Sequence, residues 1–335
     1  MLRRFASSIV LTIVATVGAG MVLGPGSAVT TLVLIAIEVA FSFDNAVINA
    51  KTLARMSQLW RRLFLTVGML IAIVGMRLVF PILIVSVTAK LGWQRVVDLA
   101  LNQPAQYAHY LEAAHISISA FGGGFLLVLV LFFFLDHERE IVWVDRIERP
   151  LQRLGGALWI GPVVGGLVIA AMSAFSHDSS TVLRSGLAGV VLFALIRLAI
   201  AGLDRLTGAS KAGNFVGWGA AVAFIYLEVL DASFSFDGVL GAFAITNIVP
   251  IISIGLGVGA LWVRSLTIYM VDEGTLAEYR YLEHGAHYAI LVLAVALLSS
   301  IFISIPNAVT GLAGLGIIGA SIIASREANK HHGRR

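Results

Sequence analysis

The chain has 335 residues, of which 59% are hydrophobic and only 13% charged, with a mean hydropathy of +0.93. That balance excludes a water-soluble globular domain; it assigns the basic excess behind a pI near 9.6 to loops beside a membrane rather than to a nucleic-acid partner. With no cysteine, disulfides, thiolate metal sites and thiol nucleophiles are excluded too, so any metal ion must be met by oxygen or histidine.

The apolar runs predict an all-α, polytopic membrane protein with about ten spans, near residues 6–24, 29–50, 63–89, 113–135, 157–176, 183–203, 216–247, 249–271, 286–304 and 307–324. The first follows Arg3 and Arg4 as a signal peptide would, but more spans come at once, so it reads as a retained helix. The segment 90–112 holds Trp93, Tyr107, Val96, Val97 and Leu101 and is expected at the outer interface. Between spans four and five, residues 136–153 form a charged linker. Ile141, Val144, Ile147 and Leu151 recur there at helical spacing, which predicts an amphipathic surface helix whose acids face solvent. The seventh span is too long for one straight helix and is expected to begin tilted or at the interface. The whole chain, 1–335, is then one membrane domain.

Orientation follows from the basic residues. With the N-terminus inside, the inner segments carry Arg3, Arg4, Lys51, Arg55, Arg61, Arg62, Arg139, Arg146, Arg149, Arg153, Arg205, Lys211, Arg280, Arg326, Lys330, Arg334 and Arg335. The outer loops carry Lys90, Arg95 and Arg184 alone. That bias predicts a multi-pass protein of the cell (inner) membrane with both termini cytoplasmic.

Within this frame, Glu38-Val-Ala-Phe-Ser-Phe-Asp44 on span two and Asp231-Ala-Ser-Phe-Ser-Phe-Asp237 on span seven are near copies. Five spans separate them, so they run in opposite directions. Two further echoes keep the same order: Tyr110-Leu-Glu-Ala-Ala-His115 with Tyr281-Leu-Glu-His-Gly-Ala-His287, and the buried arginines Arg77 and Arg264. The pattern predicts an inverted internal repeat, the first copy about 29–135 and the second about 216–304, a transporter architecture with its site near the midplane.

Charges at membrane depth are expensive and mark sites. Glu38, Asp44, Asn45, Asp231 and Asp237 are the candidate ligands, a hard-oxygen set suited to Mn²⁺, Mg²⁺ or Ca²⁺. On span two Glu38, Ser42, Asn45 and Asn49 share one helical face, whereas Asp44 points about 120° away. Asp44 joins Glu38 at one ion only if the helix unwinds near Phe43, or if neighbouring helices complete two shells. On span seven Glu228, Asp231, Ser235 and Gly238 form the comparable stripe, with Gly238 in place of Asn45 and Ala242 in place of Asn49. His115 and His287, each with a glutamate nearby (Glu112, Glu283), offer nitrogen or serve only as interfacial hydrogen-bonding groups. Arg77 and Arg264 are expected to neutralise the empty acidic site. The plainer alternative makes the acids structural partners of those two arginines.

No His-Glu-x-x-His, Gly-x-Ser-x-Gly or Walker lysine loop is present, so no enzyme and no prosthetic group is expected. Gly255-Leu-Gly-Val-Gly259, inside a span, reads as close helix packing.

Glu38 to Ala50, Phe234 to Gly238, Asp136-His-Glu-Arg-Glu140 with Glu148-Arg-Pro150, and Tyr281 to His287 together resemble the TerC-like integral membrane family, named for tellurium resistance, in a branch labelled only as a domain of unknown function. The resemblance implies a helical fold related to the LysE-type exporters and manganese efflux. The family's acids map onto Asp44 and Asp237, and through the repeat onto Glu38 and Asp231. The expected function is export of a divalent cation, manganese before others, coupled to protons through the same carboxylates. The alternative is a membrane scaffold in a tellurite-type stress complex. The expected partners are the cation as transported substrate, the lipid bilayer, and a second copy or stress-complex proteins.

Overall fold

The computed structural model describes residues 2–155, 157–207, 215 and 217–332, excluding the side chains of 2–4, 203–207, 236, 237, 307, 331 and 332. The side chains of Arg3, Arg4, Arg205 and Asp237 therefore lie outside the described residues, as do Lys211, Arg334 and Arg335 entirely. Among the described residues the fold is helical, with no strand. In chain order the helices are α1 (Leu2–Leu23), α2 (Pro25–Phe41), α3 (Phe43–Ala54), α4 (Gln58–Leu63), α5 (Phe80–Thr88), α6 (Trp93–Asn102), α7 (Pro104–Ala113), α8 (His115–Phe134), α9 (Asp145–Leu154), α10 (Ile160–Phe175), α11 (Ser179–Thr207), α12 (Trp218–Phe243), α13 (Val249–Asp272), α14 (Thr275–Glu278), α15 (Leu282–Ser299) and α16 (Asn307–His332).

Among the described residues eight helices are long and apolar enough to cross a membrane, and α2 with α3 supplies a ninth as a pair bent by 53°. The fifth expected span is α10. Its 16 residues reach about 24 Å at 1.5 Å per residue, short of a roughly 30 Å core. Span three is a single 31-residue helix, Gln58–Thr88, in which α4 and α5 are joined through two π-helical stretches, Phe64–Gly68 and Ile71–Val79. Large apolar side chains such as Met21 (83% exposed) and Phe175 (84%) face outward, as a lipid-facing surface requires.

Two sequence expectations are corrected. Span seven is one regular helix from Trp218, without a separate interfacial start. The linker is helical only over Asp145–Leu154, because residues 136–144 are held in an irregular path by contacts described below. The 90–112 segment folds as α6 and α7, with Val96, Leu99, Tyr107 and Leu111 buried against Val85, Leu256 and Val239.

Glycine decides how closely the central helices approach. A Cβ on Gly255 would stand 2.7 Å from the Leu34 Cβ, and one on Gly259 2.5 Å from the Glu38 Cβ. The i, i+4 glycines of α13 thus receive the i, i+4 residues Leu34 and Glu38 of α2. At Gly311 of α16 a Cβ would run into the Phe41 ring, so that ring lies directly on the α16 backbone.

Gly259→Ala is expected to lower the stability of the detergent-solubilised protein by about 1–3 kcal/mol, the usual effect of overpacking, and to displace Glu38. Gly316→Ala, where an added Cβ meets nothing within 4 Å, is the control and should leave the melting temperature unchanged or slightly raised. Equal melting curves for the two variants would refute close packing at Gly259.

Candidate functional site

The first Phe-Ser-Phe-Asp lies where the helix breaks. Ser42, at φ −102° and ψ 18°, separates α2 from α3 and is a member of neither. Its N–H donates to the Glu38 carbonyl at 3.0 Å, and its hydroxyl donates to Glu38 Oε1 at 3.2 Å. A non-helical residue at membrane depth is tolerated only where it lines a cavity or is buried in protein. Neither proline nor glycine causes this bend; the serine bonds and the Phe41 ring seated on Gly311 accompany it. The interruption that Asp44 requires in order to join Glu38 is therefore present.

Around the break the two repeat copies meet. Asn45 Nδ2 donates to Asp231 Oδ1 at 2.8 Å. Arg77, 4% exposed, makes an ion pair with Glu38 and a second with Asp231, Nη1 to Oδ2, at 3.5 Å. Its Nη1 also donates to the Ala72 carbonyl of its own π-helical stretch at 2.9 Å. One guanidinium thus bridges a carboxylate from each copy. Gly238, which stands where the first copy has Asn45, borders Glu38: a Cβ there would lie 3.3 Å from Oε2.

The second arginine has its own partner. Arg264 Nη2 lies 3.3 Å from both oxygens of Glu228. Its Nη1 donates to the Phe64 carbonyl at 2.8 Å, and the guanidinium stacks on the Phe64 ring, 4.1 Å from its centre. Gly68 closes over the pair: a Cβ would sit 2.5 Å from Glu228 Oε1 and 2.6 Å from Arg264 Nη1.

A cavity of about 1000 Å³ reaches this assembly from the end of the bundle that carries α7. Glu112, His115 and Asn247 line it near that end, and Glu38, Ser42 and Asp44 line its depth. Asp44, 6% exposed, accepts the N–H of Asn45 at 2.8 Å. Three buried oxygens here have no hydrogen-bond partner: Asn45 Oδ1, Asn49 Oδ1 and Ser235 Oγ.

The histidines do not join the acids. His115 Nε2 is 3.1 Å from Ser119 Oγ and 3.4 Å from Ser300 Oγ, on the cavity wall. His287 sits toward the opposite end, stacked on Phe133 at 3.6 Å with Nδ1 2.8 Å from the Glu283 carbonyl. Glu283 itself is ion-paired with Lys51. Among the described residues no three His, Asp or Glu side chains are arranged to hold a metal ion. Glu38, Asp231 and Glu228 are matched to arginines instead.

One buried acid escaped the sequence reading. Glu148 was expected on a solvated face but is 0% exposed. Its Oε1 accepts the N–H groups of Trp143 (3.3 Å) and Val144 (3.1 Å) and the Tyr288 hydroxyl (3.3 Å). Its Oε2 lies 3.0 Å from Arg139 Nη2 and 3.3 Å from His284 Nε2. These contacts bend 136–144 out of the helix and fasten the linker to the start of α15. The one sequence cue was the resemblance that singled out Glu148-Arg-Pro150. Burial opposes ionisation of Glu148, but the His284, Val144 and Arg139 contacts outweigh it and hold the carboxyl below the usual glutamate range.

The chain belongs to the family described as protein of unknown function DUF475, whose model matches residues 43–332, most of its length. No curated protein and no solved structure matches it.

Because the folded-state pKa of Glu148 is depressed, its contribution to linker docking is present above the ordinary glutamate range and is lost as pH falls through the depressed value. Backbone amides of 136–154 are expected to lose protection from hydrogen exchange, corrected for intrinsic rates, in that acidic window. Glu148→Gln, which leaves Arg139 unpaired, should remove the pH dependence and lower linker protection by roughly 3 kcal/mol already at neutral pH. An unchanged protection profile would contradict the latch.

Proposed function

We propose that this protein is a membrane carrier that exports a divalent cation, with manganese the favoured cargo, and that Arg77 is the resident counter-charge of its empty site. The observation that carries the reading is the meeting, at a broken helix, of an arginine-bridged carboxylate pair with the foot of a large cavity. Glu38, Asp44 and Asp231 set against Arg77 leave an excess of negative charge, which a divalent ion complements. Asn45 Oδ1, buried without a donor, and the Asp231 carboxylate oxygens are of the kind that Mn²⁺ or Mg²⁺ accepts. Broken helices with polar groups at the break are the usual construction of carrier sites. The resemblance to TerC-like proteins and LysE-type exporters adds manganese and the direction of transport.

In this reading the ion displaces the guanidinium, and protons returning on the same carboxylates couple efflux to the proton gradient. The bias of basic residues supports cytoplasmic termini in the cell membrane; in that orientation the cavity opens away from the cytoplasm and the closed end faces it. Asp237 completes the acid set by its place in the repeat. The rival reading, a membrane scaffold of a tellurite-type stress complex, is favoured by the arginine pairs themselves and by the lack of a ready three-acid metal group among the described residues.

The deciding experiment is transport of Mn²⁺, Mg²⁺, Ca²⁺, Zn²⁺ and Fe²⁺ in proteoliposomes. Wild type is expected to move Mn²⁺, and Asp44→Asn to lower the rate at least tenfold with its melting temperature preserved. Arg77→Ala should be less stable by roughly 3–5 kcal/mol in the absence of metal, as expected when one partner of a buried ion pair is removed. Mn²⁺ should restore more of that variant's melting temperature than it adds to wild type. A folded wild type that moves none of the five ions establishes the scaffold reading instead.

A further inference from the structure

The pair Glu228–Arg264 is not used by the site just described, and its surroundings point to a ligand. Helices α3 and α12 run antiparallel: Asn45 meets Asp231 at 2.8 Å, while Phe215, just before α12, donates its N–H to Arg55, just after α3, at 2.8 Å. One turn along α3 from Asn45 is Asn49, and one turn back along α12 from Asp231 is Glu228. Antiparallel packing brings these two residues to the same depth, within about a turn, on the far side of the acid pair from the cavity. Asn49 is 2% exposed, and its Oδ1 has no donor. An unsatisfied buried amide oxygen costs about 1–3 kcal/mol, so its presence at the depth of a buried carboxylate needs a reason. Position 49 also carries an amide in the first copy only; the second copy has Ala242 there, and Glu228 matches Ile35. The polar groups at this depth are therefore not products of the repeat.

We propose that Glu228 and Asn49 form a second station for the same divalent cation, between Asp231 and the closed end of the bundle, with Arg264 as its counter-charge. This rests on the carrier reading. The ion crosses between stations through Asp231, which lies three residues from Glu228 on one helical face and is already shared with Arg77. Leu53, Met56, Phe64, Phe215 and Leu227 form the apolar barrier beyond. Entry from the linker side requires that barrier to part and Arg264 to swing toward the Phe64 carbonyl that it already holds. Gly68 is needed because any side chain there would occupy the space of the paired groups.

The test uses full-length protein oriented uniformly in proteoliposomes, with Mn²⁺ as the probe added to one face at a time. Glu228→Gln and Asn49→Ala are expected to raise the half-saturating Mn²⁺ concentration for transport from the linker face at least tenfold. Mn²⁺ binding through the cavity face, read by electron paramagnetic resonance, should stay within twofold. Glu228→Asp should recover part of the loss. Unaltered transport in both variants, or equal weakening at both faces, overturns the second station and leaves the carrier reading standing. A wild type that moves no Mn²⁺ overturns both. If Glu228→Gln does not fold, Asn49→Ala alone decides by the same readouts.

Discussion

A guanidinium at membrane depth constrains everything near it. Arg77 is nearly sealed from solvent, and an unpaired charge in that position would be untenable. Its solution takes one carboxylate from each repeat copy and a carbonyl from its own helix. That geometry demands that α2, α12 and the 58–88 span converge closely. Convergence on α2 depends in turn on glycines in α13, since Glu38 lies against the α carbon of Gly259. The broken helix, the π-helical stretch and the small residues are therefore parts of one electrostatic arrangement.

The same arrangement explains why the two arginines differ. Arg77 is shared by two acids, of which Glu38 lines the cavity. Arg264 is held by one glutamate, one carbonyl and one aromatic face beneath a glycine that leaves no spare volume. The first is held by an acid that borders open space, and the second is enclosed. Toward the linker end the closure becomes thicker, through the Phe133–His287 stack, the Lys51–Glu283 ion pair and the Glu148 cluster.

Much of this was legible in the chain. Hydropathy located the spans because lipid leaves no alternative to helices or closed barrels. The repeated Phe-Ser-Phe-Asp flagged the helix break and its buried acids because buried charge is rare. Periodicity alone also showed that Glu38 and Asp44 could not share a face of an unbroken helix, so the break at Ser42 answers a question that the residues posed. What stayed hidden depends on partners distant in sequence. Glu148 looks solvent-facing by its neighbours, and only Arg139, His284 and Tyr288 make its burial tolerable. The histidines looked like ligands by type and spacing, yet a 20-residue helix carries His115 and the end of α8 far apart, and His287 packs at the latter. The π-helical stretches leave no mark in hydropathy at all.

For the proposed carrier, the unequal halves have an energetic meaning. Two antiparallel copies with identical side chains would be exchanged by a two-fold axis in the membrane plane. A state open to one side would then have the same free energy as its mirror open to the other. Such a molecule has no preferred resting direction. Every unmatched residue at the junction breaks that degeneracy: Asn45 against Gly238, Asn49 against Ala242, Ile35 against Glu228. A difference of only about 1.4 kcal/mol shifts the two populations tenfold. In a carrier of the proposed kind, the amide missing at Gly238, beside Glu38, contributes to that bias.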